Sequence, residues 1–236
     1  MKRQTVAIAY VHPTELSAYF MQSMDDLRTW DLAHGRHLVG TFRQVSSANI
    51  TNARNDLVTR FLNDCDADWL WFLDADMVFE PDTLHQLLVN ADPVKAPIVG
   101  GLCFGMDGPS LFPTLYFLVR DPDTGEAGMV RPPQYDADTL VQVNATGAAC
   151  LLIHRSVLLA MRKAVDEKHP QFSAAYPFFM EKELDGKPSG EDITFCLRAQ
   201  ILGFNIHVDT GVAIGHHKSI ILTEQMFLAQ QKEPTP

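Results

Sequence analysis

Five large apolar residues, Trp69-Leu70-Trp71-Phe72-Leu73, run straight into Asp74-Ala75-Asp76, and this junction restricts the fold more than any other stretch of the 236-residue chain. A strand-length run with no polar position has no face to offer water. It must be covered on both sides, as strands are in a sheet flanked by helices. Its abrupt end in two carboxylates marks the point where the buried strand meets solvent or a ligand.

The flanking sequence has the alternation such a sheet requires. Strands are expected over residues 5–11, 37–45, 68–73, 98–104, 114–120, 140–154 (bent near Gly147) and 205–214. Helices are expected over 14–34, with Leu16, Phe20, Met24, Leu27 and Trp30 three or four apart, and over 49–63, about 81–90, 155–165 and 189–202. Residues 166–188, rich in aromatic, proline and charged residues without a period, are expected to form a mobile loop. Its segment 172–180, with Tyr176, Phe178 and Phe179, could stack on a sugar, fold over a ligand or pack in the core.

The composition, 46% hydrophobic and 20% charged, suits one globular domain with one substantial core, and no linker-like stretch divides it. A net charge of -10 and the absence of basic runs argue against a broad nucleic-acid surface, while leaving room for a local phosphate site. No stretch is long and apolar enough for a leader or a membrane span, so a soluble, cytoplasmic protein is expected. Cys65, Cys103, Cys150 and Cys196 are widely spaced and read as reduced, buried thiols.

Ligands of open α/β sheets gather outside the carboxyl ends of the strands. Residues two apart in an extended segment share a side, so Asp74 and Asp76 can face one ligand together. Two hard oxygen donors suit Mg2+ or Mn2+, with water and substrate phosphate completing the shell. An Asp-x-Asp alone would also serve a solvated turn. Two further clusters add weight. Ser189-Gly190-Glu191-Asp192 opens the last helix, Ser189 as its expected cap and Asp192 as a candidate general base. Gly215-His216-His217-Lys218 follows the last strand and offers imidazole for a metal and an ammonium for a diphosphate.

In order along the chain, Ala53-Arg54-Asn55, Trp71-Phe72-Leu73-Asp74-Ala75-Asp76, Thr146-Gly147-Ala148-Ala149-Cys150-Leu151-Leu152-Ile153, Gly190-Glu191-Asp192 and Gly215-His216 resemble the GT-A glycosyltransferases. The likeness is to small single-domain members related to the inverting family of cellulose and chitin synthases, and to compact enzymes encoded by bacteriophages. It implies an α/β, Rossmann-like mixed central sheet with helices on both faces. Residues 1–104 would bind the nucleotide sugar, 105–218 would carry acceptor binding and catalysis, and 219–236 would be a tail. Asp76 would bind Mn2+ or Mg2+, with His216, or its neighbour His217, as a further ligand. Asp74 would contact the metal shell or the ribose, beside Ala75 at the donor. Arg54, Asn55, Tyr10 and His12 would touch the nucleotide, and Lys218 the diphosphate. Gly147 would let the donor sugar approach the backbone. Asp192 would be the base and Glu191 its orienting partner, giving inversion. The resemblance implies a nucleotide-sugar donor, UDP-linked by preference, and a glycan, protein or modified-nucleobase hydroxyl as acceptor.

Two other functions compete. Leu73-Asp74-Ala75-Asp76-Met77-Val78 also fits the signature strand of haloacid-dehalogenase-type phosphotransferases, although two strands and two helices precede it here. A nucleotide-sugar or glycan-binding module without turnover would keep the fold but has no use for Glu191-Asp192.

Overall fold

The structure, a computed structural model, describes residues 3–46, 49–107, 110–123, 125–184 and 186–218; the proposed tail, 219–236, lies outside them. β1 (Val6–His12) is almost wholly buried. α1 (Ala18–His34) follows, starting four residues later than the apolar spacing predicts, because Ser17 caps it by accepting from the Phe20 amide. The buried carboxylate of Asp31 then accepts from the amides of His37 and Leu38, at 2.8 and 3.0 Å, and so fixes where β2 (Leu38–Val45) starts. Asn49 caps α2 (Ile50–Asp64) through the Asn52 amide. All five residues of β3 (Trp69–Leu73) are buried, as the sequence requires.

β4 (Met77–Val78) and α3 (Thr83–Asn90) lead into β5 (Ile98–Leu102), which stops short of Phe104. Two antiparallel pairs follow, β6 (Phe104–Asp107) with β7 (Ser110–Pro113) and β8 (Phe117–Arg120) with β9 (Ala127–Val130). The expected strand 140–154 is two strands, β10 (Leu140–Val143) at the sheet edge and β11 (Cys150–His154) at its centre. The bend expected at Gly147 is thus a complete departure from the strand over residues 144–149. α4 (Arg155–Asp166) comes next. The expected loop 166–188 contains a short hairpin, β12 (Lys182–Leu184) with β13 (Lys187–Ser189). α5 (Glu191–Ile201) is capped by Gly190 and not by Ser189, which ends β13 instead. β14 (Ile206–Ala213) and β15 (Gly215–His216) complete the described chain.

The main sheet has the order β10-β14-β5-β11-β3-β1-β2. β2, β1, β3, β5 and β14 run one way, and β11 and β10 run against them, so the sheet is mixed. Alternation along β3 divides the core. Leu70 and Phe72 join Phe61, Met161 and Phe195 from α2, α4 and α5, whereas Trp69, Trp71 and Leu73 join Phe20, Leu27 and Leu87 from α1 and α3. Helices therefore cover both faces. Cys103, Cys150 and Cys196 are buried thiols, and burial pushes Cys150 up to about 11 and Cys196 to about 12. No helix of the described residues is long and apolar enough to cross a membrane.

Candidate active site

β3 ends at Leu73, and the next three residues turn. Asp74 donates its amide to the Ala149 carbonyl at 2.9 Å, and its own carbonyl accepts from Met77. Asp74 and Asp76 are therefore brought together by a tight turn and not by strand alternation, yet both line one cleft of about 520 Å³. The ends of β1 and β2 and the starts of α1 and α2 supply the rest of that wall, including His12, Pro13, Ser17, Ser46 and Asn49.

Beneath Asp74 lies Arg54, only 3% exposed on the inward face of α2. Its Nη2 donates to Asp74 Oδ1 at 2.8 Å and its Nη1 donates to Glu191 Oε1. Burial works against the guanidinium's charge. The carboxylates of Asp74, Glu191 and Asp192 more than offset that and hold its pKa above the usual arginine value. One buried cation thus joins the tip of β3 to the start of α5.

Glu191 and Asp192 sit in the first turn of α5. Burial raises both carboxyls above the ordinary range, and Arg54 draws them back only in part. Asp192 Oδ1 accepts from the Ile193 amide at 2.7 Å. Its Oδ2 would lie 3.6 Å from a Cβ built on Gly147, so the bare backbone of residue 147 faces this carboxylate.

The third cluster arrives from the far end of the chain. β15 pairs with β4, matching His216 to Met77, and the His217 amide donates to the Asp76 carbonyl at 2.8 Å. His216, and not His217, faces the Asp76 side chain; His217 turns to the Ser17 hydroxyl and packs on Tyr19. His216 Nδ1 is 3.0 Å from the Phe104 carbonyl, which can only accept, so Nδ1 carries the hydrogen. Nε2 then lies 2.9 Å from Asp76 Oδ2, acceptor against acceptor unless a positive centre, a second ring proton or a metal ion, joins them. Lys218 Nζ is also 2.9 Å from Oδ2. Burial alone would lift the Asp76 carboxyl, but Lys218 and His216 outweigh it and hold it below its usual range.

A carboxylate and a properly oriented imidazole fit a divalent cation, and the nitrogen donor suits Mn2+ better than Mg2+. Among the described residues no three His, Cys, Asp or Glu side chains converge closely enough to hold a metal ion alone. A cation here would complete its shell with water and phosphate oxygens.

Besides Arg54, two expected nucleotide contacts are engaged elsewhere. The Tyr10 ring packs edge-on against Phe20 in the core and is 4% exposed. The Asn55 amide accepts from the Phe178 and Phe179 amides and donates to the Thr51 and Phe179 carbonyls. Its grip, with Arg198 donating to the Tyr176, Pro177 and Phe178 carbonyls, pins the aromatic segment inward. Phe179 is fully buried, stacked on Phe195. Phe178 and Phe179 are therefore core, while Tyr176 in the same segment stays exposed. The clamp role of Arg54 was missed by sequence reasoning, although a charged residue on the inner face of an amphipathic helix was the available signal.

No protein-family model and no curated protein matches the sequence. Solved structures do match the fold. The crystal structure of A197 from STIV superposes with a TM-score of 0.55 at 15% identity, covering 92% of this chain and 87% of that one. GalNAc-T7, a GT-A glycosyltransferase solved with UDP, GalNAc and Mn2+, superposes with a TM-score of 0.55 at 11% identity. That match covers 91% of this chain, which spans 44% of the larger protein. The fold is the GT-A glycosyltransferase fold.

Proposed function

We propose that this chain is a metal-dependent glycosyltransferase, moving a sugar from a nucleoside-diphosphate donor to an acceptor hydroxyl with inversion. The observation that carries this reading is the pair of polar clusters Lys218/His216–Asp76 and Asp74–Arg54–Glu191, set side by side on one cleft by the turn that holds Asp74 and Asp76. Residues before 105 line the donor cleft, and 105–218 supply the base and acceptor side. The UDP and Mn2+ held by GalNAc-T7 favour a UDP-sugar and Mn2+ here.

Asp76 and His216 would hold the cation, which when bound supplies Lewis-acid neutralisation of the departing diphosphate. With Asp76 so engaged, the Lys218 ammonium is available to the same phosphates as a second counter-charge. His12 and Asn49, on the cleft wall, meet the nucleoside. Gly147 leaves space for the sugar against the backbone. Asp192, its pKa raised by burial, accepts the acceptor's proton, while Glu191 stays on Arg54 and holds the turn in place. Asp74 is tied to Arg54, which disfavours it as the attacking nucleophile of a phosphotransferase.

The test is a panel of sugar nucleotides with Mn2+, read by donor hydrolysis and thermal stabilisation. One donor should raise the melting temperature and be turned over, and Asp192→Asn should keep the shift while losing transfer. Phosphate release from simple phosphoesters with no response to any sugar nucleotide would overturn the reading.

A further inference from the structure

A second cavity, of about 280 Å³, opens on the other side of Asp192. Its wall includes Tyr116, Met129, Ser189, Gly190 and Ile193, contributed by the β8–β9 region, the end of β13 and the start of α5. Asp192 therefore lines a different hollow from the one lined by Asp74 and Asp76, while Arg54 ties the two sides together.

Its chemistry is selective. Asp192 is the one charged side chain among the described residues that line it. Arg131 lies over the Phe112 ring at 3.6 Å and 5.8 Å from the centre of the Tyr116 ring, close to the wall but not part of it. The positive end of α5 is already answered by Glu191 and Asp192 in its first turn. An anionic ligand would thus meet the Asp192 carboxylate directly, with no cation on the wall itself. Burial holds the Tyr116 phenol above its usual range, so it keeps its proton and can donate to a ligand oxygen. The Ser189 hydroxyl makes no cap bond to α5 and stands beside it. The volume falls just under the range typical of drug-sized sites, which suits a ligand of about one ring.

We infer that this cavity is the acceptor subsite and that it takes an uncharged, ring-bearing hydroxyl compound such as a neutral glycoside, the ring lying against Tyr116 and Met129 with its hydroxyl directed at Asp192. The inference rests on Asp192 as proton acceptor in glycosyl transfer. In that step the acceptor oxygen bonds to the anomeric carbon, the bond from that carbon to the diphosphate breaks with its electron pair leaving on phosphate, and the hydroxyl proton passes to Asp192.

Gly128 gives a clean test, because a Cβ there meets nothing within 4 Å and its φ is not positive. Gly128→Trp should fold as the parent does and fill the cavity. With the donor found in the sugar-nucleotide panel, transfer to methyl and phenyl glucoside should fall at least tenfold in the variant, while the rise in melting temperature caused by the donor is unchanged. For the parent, glucose 6-phosphate and glucuronic acid should be at least tenfold poorer acceptors than methyl glucoside in kcat/KM. Gly128→Leu, a smaller plug, should give an intermediate loss. If hydrolysis proceeds but transfer is untouched by Gly128→Trp, or the anionic sugars serve equally well, the subsite assignment is wrong and the glycosyltransferase reading stands. If no sugar nucleotide is turned over at all, both fall together.

Discussion

Arg54 donates through Nη2 to Asp74 Oδ1 at 2.8 Å while its other terminal nitrogen holds Glu191, residues 20 and 137 positions away in sequence. A guanidinium presents several donors in a rigid fork and can serve two carboxylates at once, whereas an ammonium is a single point of charge on a flexible stem. Arg54 is not among the residues that line the open cleft; it ties Asp74, on that cleft, to Glu191 at the start of α5.

Arg54→Met should leave a buried carboxylate cluster without its cation, at a cost of roughly 3–5 kcal/mol, and activity should be lost. Arg54→Lys should retain part of the stability and little of the activity. Chemical denaturation and donor hydrolysis measure both, and full activity in the lysine variant would show that the fork geometry is dispensable.

His216 and His217 should separate cleanly, because only His216 faces Asp76. His216→Ala should raise the Mn2+ concentration for half-maximal activity by at least about tenfold, the scale on which even indirect metal-site partners act. His217→Ala should leave it within about twofold. Equal effects in a metal titration would remove His216 from the pair.

Asp192 should cost stability in exchange for activity. A carboxyl whose folded pKa is raised holds its proton more tightly folded than unfolded. Its contribution falls as pH rises from the unfolded value toward the folded one, and the cost persists above. Asp192→Asn should accordingly melt no lower than the parent at pH 8, the advantage vanishing toward pH 4, and should lose transfer at every pH. The acid limb of kcat/KM in the parent should lie above the ordinary aspartate value of about 4. A variant several degrees less stable at pH 8 would contradict this.

At Gly147 a methyl group meets only ordinary contacts, with Asp192 Oδ2 at 3.6 Å and Thr114 Cγ2 at 3.9 Å. Gly147→Ala should fold with a stability change within about 0.5 kcal/mol. If a sugar approaches the backbone here, KM for the donor rises several-fold while the unliganded melting temperature is unchanged. An unaltered KM would place the sugar elsewhere.

Asn55→Ala orphans the buried Phe178 and Phe179 amides, each worth about 1–3 kcal/mol. The variant should be at least about 2 kcal/mol less stable, and protease sensitivity should rise first in the segment around residue 178. A marginal change would mean that Arg198 and the Phe195 stack suffice to hold it.

Period and punctuation carried much of the architecture. The unbroken apolar run of β3, the helical spacing of Phe20, Met24 and Leu27 and the Asp-x-Asp at a strand end were all readable as local patterns. What escaped was settled by partners remote in sequence. Residues 140–154 look like one strand with a bend at Gly147, but residues 144–149 leave the sheet altogether to meet Tyr116 and Asp74, which a lone glycine does not announce. Ser189 has the right spacing for a capping box, yet pairing with Lys182 draws it into β13 and leaves Gly190 to begin the helix. Phe178 and Phe179 could have lined a ligand site on composition alone; Asn55, 123 positions away, decides that they do not. The site was legible as residues and illegible as contacts, since Arg54 bridges what the sequence separates.

The two-residue pairing of β15 with β4 has a consequence in time as well as in space. Translation proceeds from the amino end, so Asp76 leaves the ribosome 140 residues before the imidazole that faces it. A nascent chain already holding β1, β2 and β3 can begin to collapse around its tryptophans, but its cation pair cannot assemble until His216 has emerged. Whatever chemistry that pair supports has to wait for β15 to reach β4.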